Sequence, residues 1–109
     1  MSYKIFSIAP FDKQLKRLSK KYPSLKKEYI ELLHSLEKNP KQGTSLGKNC
    51  YKFRIAISSK GRGKSGGARV ITYFQLTPAA LFLLAIYDKA EQDNIADEEL
   101  KALVKYISV

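Results

Sequence analysis

The hydrophobic period of this chain changes once, and that change limits what it can fold into. Between Phe11 and Leu36 apolar residues recur at helical spacing; from Cys50 onward they alternate or run together, as strands require. Pro10 suits a helix start. After it Phe11, Leu15, Leu18 and Tyr22 form one stripe, with Lys13, Lys16, Arg17, Lys20 and Lys21 on the other faces. Pro23 ends that helix, and Ser24 is placed to cap a second. Leu25, Tyr29, Leu32, Leu33 and Leu36 are the buried stripe of the second helix, which Asn39-Pro40 stops. Two helices joined at Tyr22-Pro23-Ser24 make a helical hairpin.

The strand half follows period 2. In Cys50 to Ile57 the odd positions Tyr51, Phe53, Ile55 and Ile57 are apolar, while Lys52 and Arg54 share the opposite face. Ser58 to Gly67 holds four glycines and reads as a flexible hairpin loop. Ala68 to Leu76 is β-branched and aromatic, with Arg69, Ile71 and Tyr73 on one side; Thr77-Pro78 turns the chain. Leu81 to Tyr87 is apolar throughout, as in a strand covered on both faces. Ser2 to Ile8 reads as a first strand, and Asp97 is placed to cap a last helix with a Leu100, Leu103, Val104, Ile107 stripe. The predicted class is α+β: an antiparallel sheet of about four strands packed against an N-terminal helical hairpin, with a C-terminal helix. At 109 residues the expectation is one domain, 1–109.

Charge narrows the partners. The net charge is +10, and it is unevenly placed. From Lys38 to Tyr87 there are nine bases (Lys38, Lys41, Lys48, Lys52, Arg54, Lys60, Arg62, Lys64, Arg69) and no acid, whereas the stretch from Asp88 onward has six acids and three bases. A solvated surface explains a lone lysine; an uninterrupted cationic block points to a polyanion. The charge sits on strands and a hairpin, not on a helix with a broad free apolar face, which argues against a membrane surface. One cysteine, Cys50, excludes an internal disulfide and fits a reducing cytoplasm. One Cys and one His leave no structural zinc site, the longest apolar run is too short to cross a bilayer, and no signal-peptide h-region is present. The expected localisation is cytoplasmic, with no membrane partner and no cofactor or metal.

Nucleotide binding is a tempting reading of Lys60-Gly61-Arg62-Gly63-Lys64-Ser65-Gly66-Gly67. A phosphate-binding loop of the G-x-x-x-x-G-K-[ST] kind needs glycine where Ser58 stands and must open a helix, whereas this one opens a strand. What is left is a loop with three cations and exposed N–H groups, better suited to a phosphate backbone than to a bound nucleotide; no small-molecule ligand is expected. Lys52 and Arg54 stand roughly 7 Å apart on one strand face, and Arg69 joins them if its face matches. Convergent cations of this kind clamp a phosphate and stabilise the charge that develops in phosphoryl transfer. The bland alternative is a basic sheet face without chemistry. His34 flanks the helical stripe as a structural residue, and Cys50 reads as a small core residue. No carboxylate pair lies in the basic half. A lysine crowded by other cations is then the expected proton carrier, since neighbouring positive charge loosens its proton.

The stretch Leu46-Gly47-Lys48-Asn49-Cys50-Tyr51-Lys52-Phe53-Arg54-Ile55, then Gly66-Gly67-Ala68-Arg69-Val70-Ile71-Thr72-Tyr73, then Leu84-Ala85-Ile86-Tyr87-Asp88-Lys89, resembles the RelE/ParE family of bacterial type II toxins, over nearly the whole chain. It is closest to a RelE/HigB-like subgroup. The resemblance implies a cognate acidic antitoxin, and the ribosome and mRNA as targets, the mRNA being cut by attack of its own 2′-hydroxyl. By position it implies Lys52, Arg54, Arg69 and Lys89 as catalytic residues; Lys48, Lys60, Arg62, Lys64 and Tyr73 are the RNA contacts expected beside them. Arg54 stands where RelE has a lysine, and Ile95 where a tyrosine is expected about six residues after the last cation. The alternatives are a ParE-like gyrase inhibitor and a non-catalytic RNA-binding protein of the same fold. A ParE-like inhibitor would not need the four cations to converge.

Overall fold

The computed structural model describes residues 3–61, 63 and 66–107. Its elements run β1 (Lys4–Ser7), α1 (Ala9–Lys21), α2 (Leu25–Lys38), β2 (Thr44–Gly47), β3 (Cys50–Ile55), a 3-10 turn (Ser58–Lys60), β4 (Ala68–Gln75), β5 (Ala80–Asp88) and α3 (Asp97–Val104). The α+β architecture with a helical hairpin and a C-terminal helix is as the periodicity requires. The sheet, however, has five strands, in the order β1-β5-β4-β3-β2, and it is mixed. The three neighbouring pairs from β2 to β5 are antiparallel, whereas β1 joins the far side of β5 in parallel, Lys4 to Ser7 against Ala80 to Leu83. Parallel pairing is what a strand followed by a long crossover allows.

Register assigns the faces, because directly opposed residues point the same way. Ile55, Ala68 and Asp88 form one row, and Phe53, Val70 and Ile86 the next. This face lies under the helical hairpin. Phe11 and Leu18 of α1 and Leu25, Leu32 and Leu36 of α2 are buried in the core with it, and Tyr3 meets Phe74 edge to face. The opposite face carries Cys50 with Tyr73, Lys52 with Ile71, and Arg54 with Arg69 and Tyr87. Helix α3 lies against its apolar end, where a groove runs between Cys50 and Tyr73 on the sheet and Leu100 and Val104 on the helix. The cationic end is left open.

Local details differ from expectation in ways the packing explains. Ser24 flanks α2, but its hydroxyl does not cap that helix. It donates to Glu28 (3.1 Å) and accepts from the Ser59 N–H (3.0 Å), while Glu28 also receives the Ser58 N–H (2.6 Å). The 3-10 turn therefore docks on the start of α2, and the expected flexible loop is ordered at its beginning. Asp97 sits one residue inside α3, with Ala96 in the flanking position. The β3 ladder stops at Ile55, and Ile57 drops fully into the core.

Candidate functional site

The open end of the second sheet face, together with the turn that follows β5, forms a cleft of ≈ 660 Å³. Four of its walls are Lys52, Arg54, Arg69 and Lys89. Their convergence follows from simple geometry. Alternation on β3 puts Lys52 and Arg54 on one face, and the β3–β4 register sets Arg54 directly opposite Arg69. Lys89 is the first residue past β5, tied back to the glycine hairpin by its N–H to the Gly67 carbonyl (3.1 Å). Like charges placed directly opposite destabilise a sheet. Here a third and fourth cation are added to that pair, an arrangement that an anion between them would relieve.

The remaining walls come from Gln42, Gly43 and Thr44 before and within β2, from Phe53 on β3, and from Asp93 and Asn94 in the turn before α3. Asn94 Oδ1 accepts a bond from Lys52 Nζ (3.2 Å), and Asp93 Oδ1 pairs with Lys89 Nζ. Arg69 is nearly buried (5% exposed) and donates to the Ala68 carbonyl (3.3 Å), among other contacts. Arg54 is exposed, so the pair presents one anchored guanidinium and one that reaches into solvent. Directly opposite Arg69 on β5 stands Tyr87; burial pushes its phenol up, while the Arg69 charge acts in the opposite direction. Asp93 and Asn94 escaped the sequence reading. The one hint was the i,i+4 spacing of Asp93 after Lys89.

Other expected contacts lie elsewhere. Lys48 is exposed in the β2–β3 turn and, with half-buried Tyr73, lines the groove beside α3 rather than the cleft. Lys60 is turned inward: its Nζ bonds Asp88 Oδ1 at 2.6 Å, and its side chain is only 8% exposed. A buried carboxylate has captured the charge that the loop was expected to display. Arg62 and Lys64 lie outside the described residues. His34 is exposed on α2, paired with Glu37, and Cys50 is fully buried. Ile95 belongs to the hydrophobic core, so the position matched to a tyrosine points away from the cleft.

Gly43 shows how tightly the cleft wall is built. It adopts φ +98°, and a Cβ there would lie 2.4 Å from the Lys52 carbonyl oxygen and 2.7 Å from Phe53 Cβ. Gly43→Ala combines a left-handed backbone with overpacking, for an expected loss of about 3 kcal/mol. In thermal unfolding that is a fall in Tm of roughly 13 °C. A Tm within about 2 °C of the parent's would show that the approach is not tight.

The family model for the RelE toxin of the RelE/RelB toxin–antitoxin system matches residues 4–108. The chain belongs to the RelE toxin family. Its fold is that of solved RelE structures. A doubly substituted E. coli RelE toxin in the free state superposes with a TM-score of 0.64 at 15% identity, covering 98% of this chain and 99% of that one. The isolated E. coli RelE toxin gives a TM-score of 0.51 at 17% identity, covering 95% and 98%. Membership in a RelE family implies a cognate antitoxin as partner. Among the described residues no helix is long and apolar enough to cross a membrane.

Proposed function

We propose that this RelE-family toxin is a ribosome-dependent endoribonuclease that cuts mRNA and so stops translation. The observation that supports it best is the meeting of Lys52, Arg54, Arg69 and Lys89 in one open cleft. A gyrase-inhibiting protein of this fold has no need of that convergence.

The chemistry is a transfer within the RNA. The 2′-oxygen loses its proton and attacks the adjacent phosphorus, and the bond from phosphorus to the 5′-oxygen breaks. That oxygen takes up a proton, leaving a 2′,3′-cyclic phosphate and a 5′-hydroxyl. Arg54 and Arg69, with planar forks, hold the phosphate oxygens as negative charge grows on them. Guanidinium groups are poor proton carriers, so proton transfer falls to Lys52 and Lys89. Asp93, on Lys89, supplies a carboxylate at the same place.

A cell-free translation reaction tests this. Added protein should cut mRNA at defined positions only when ribosomes are present, with cyclic phosphate ends. Intact mRNA under continued synthesis, with loss of gyrase-dependent supercoiling instead, would overturn it.

A further inference from the structure

The turn between β5 and α3 brings a neutral acceptor to the cleft. Asn94 stands exposed on the cleft wall, and its Oδ1 accepts two bonds, one from the Ile95 N–H (3.0 Å) and one from Lys52 Nζ (3.2 Å). Both partners are donors, which fixes the amide with its oxygen inward. The turn itself is held on either side of that side chain. Gln92 Nε2 donates to the Asn94 carbonyl (2.9 Å), and Ile95 is buried in the core. One amide oxygen is thus tied to its own backbone and to a strand cation 42 residues away.

Lys52 needs such an anchor. Its four-carbon stem is flexible, and the groups that share its cleft are Arg54 on β3, Arg69 on β4, and Lys89 and Asp93 after β5. Its cross-strand neighbours, Thr44 and Ile71, are neutral and offer no counter-charge. Asp93 is engaged by Lys89. Repulsion from the arginines and the strong hydration of an ammonium both favour a Lys52 side chain swung out to water. A held Nζ therefore requires an acceptor, and Asn94 supplies it.

The kind of acceptor matters as much as its place. A proton carrier passes between ammonium and neutral amine, and either form keeps an N–H to donate to Oδ1. A carboxylate at position 94 would favour the ammonium by its charge; an amide oxygen places Nζ without doing so. In the neutral amine this bond uses one N–H and leaves the lone pair free to take the 2′-hydroxyl proton.

We infer that Asn94 is a positioning residue, holding Lys52 Nζ in the cleft through a neutral acceptor that serves both protonation states. The inference rests on the nuclease reading of the cleft and names the residue that sets Lys52 within it. The test measures single-turnover cleavage of mRNA on programmed ribosomes by the full chain, from about pH 6.5 to 8.5. Asn94→Ala should cut at least about tenfold more slowly at saturating ribosomes, with ribosome affinity unchanged, since a misplaced group costs rate and not binding. Adding Asn94→Ala to Lys52→Gln should cost less than about threefold more, because a residue that acts through Lys52 then has nothing to place. Asn94→Asp keeps the shape and both accepted bonds. Its rate should fall at about pH 7 and recover with alkali, the profile displaced upward by about one pH unit. A residue that only braces the turn gives another pattern: Asn94→Asp matches the parent at every pH, and the losses from Asn94→Ala and Lys52→Gln add. Either result would overturn the inference, as would cleavage by Asn94→Ala within about threefold of the parent's. The outcomes distinguish the two readings. A parent that leaves ribosome-bound mRNA intact sinks the nuclease and this role together, whereas a parent that cuts beside an equally active Asn94→Ala sinks the role of Asn94 alone.

Discussion

Asp88→Asn is expected to destabilise the folded chain by about 3 kcal/mol at pH 7, the low end for removing one partner of a buried ion pair. Asp88 is fully buried and holds three segments together. Its carboxylate receives Lys60 Nζ at 2.6 Å from the 3-10 turn, the Tyr22 hydroxyl at 2.5 Å from the α1–α2 connection, and the Ala90 N–H at 2.9 Å. Amide substitution keeps the shape but leaves the Lys60 ammonium without its counter-charge beneath the Tyr22 ring, 5.5 Å from its centroid. Against a typical total of about 5–15 kcal/mol, that is a large share. Urea unfolding measures it. Adding Lys60→Met to Asp88→Asn should recover part of the loss, because an apolar pair replaces a stranded charge.

The same carboxylate predicts an acid response. Burial alone would raise the Asp88 pKa, but the hydrogen bonds from Lys60, Tyr22 and Ala90, with the Lys60 charge, outweigh it and hold the carboxyl at about 2, below its ordinary 3.8. A depressed carboxylate pKa contributes stability that is present above the unfolded value and is lost as pH falls through the folded one. The gap between parent and Asp88→Asn should therefore be constant above about pH 4.5 and narrow steadily toward pH 2. A gap below about 0.5 kcal/mol at pH 7, or one that does not change with acid, would show that the cluster is not holding these segments together.

How much of this could be read beforehand depended on whether the signal was local. Leucines at helical spacing with Pro23 between them force a helical hairpin, and alternation in Cys50 to Ile55 forces Lys52 and Arg54 onto one face. Arg69 follows once the two strands are joined by a hairpin. The apolar run of β5 announces a strand with neighbours on both sides, yet nothing in it says that the second neighbour is β1 in parallel. Strand β2 is four residues, Thr-Ser-Leu-Gly, mostly exposed at the sheet edge, without the β-branched run that marks an interior strand. Its real signal is the turn behind it, where Lys48 and Asn49 adopt φ 52° and 65°. The inward turn of Lys60 has no local signal, because its partner lies 28 residues away and is buried only in the fold. Asp93 and Asn94 reach the cleft through a loop whose return path no periodicity encodes.

Loss of function without loss of stability is the signature expected at the exposed Arg54. In the proposed reaction Arg54 and Arg69 hold the phosphate, so Arg54→Ala and Arg69→Ala would each remove one such donor, commonly worth a factor of 10²–10³ in rate, about 2.7–4 kcal/mol. Removing Arg54 also relieves the repulsion of two guanidinium groups set directly opposite across β3 and β4. Its Tm should therefore hold or rise while mRNA cleavage in the translation reaction falls. Arg69→Lys separates geometry from charge: a point charge keeps the sign but not the two parallel bonds of a planar fork, so cleavage should stay well below that of the parent. Growth arrest on expression should be relieved in the same order as the rates. Cleavage by Arg54→Ala and Arg69→Ala within threefold of the parent's would take the two arginines out of the reaction. The opposed pair would then be a strained patch on a basic sheet face, and Lys52 and Lys89, already engaged by Asn94 and Asp93, would be left without a phosphate clamp to work beside.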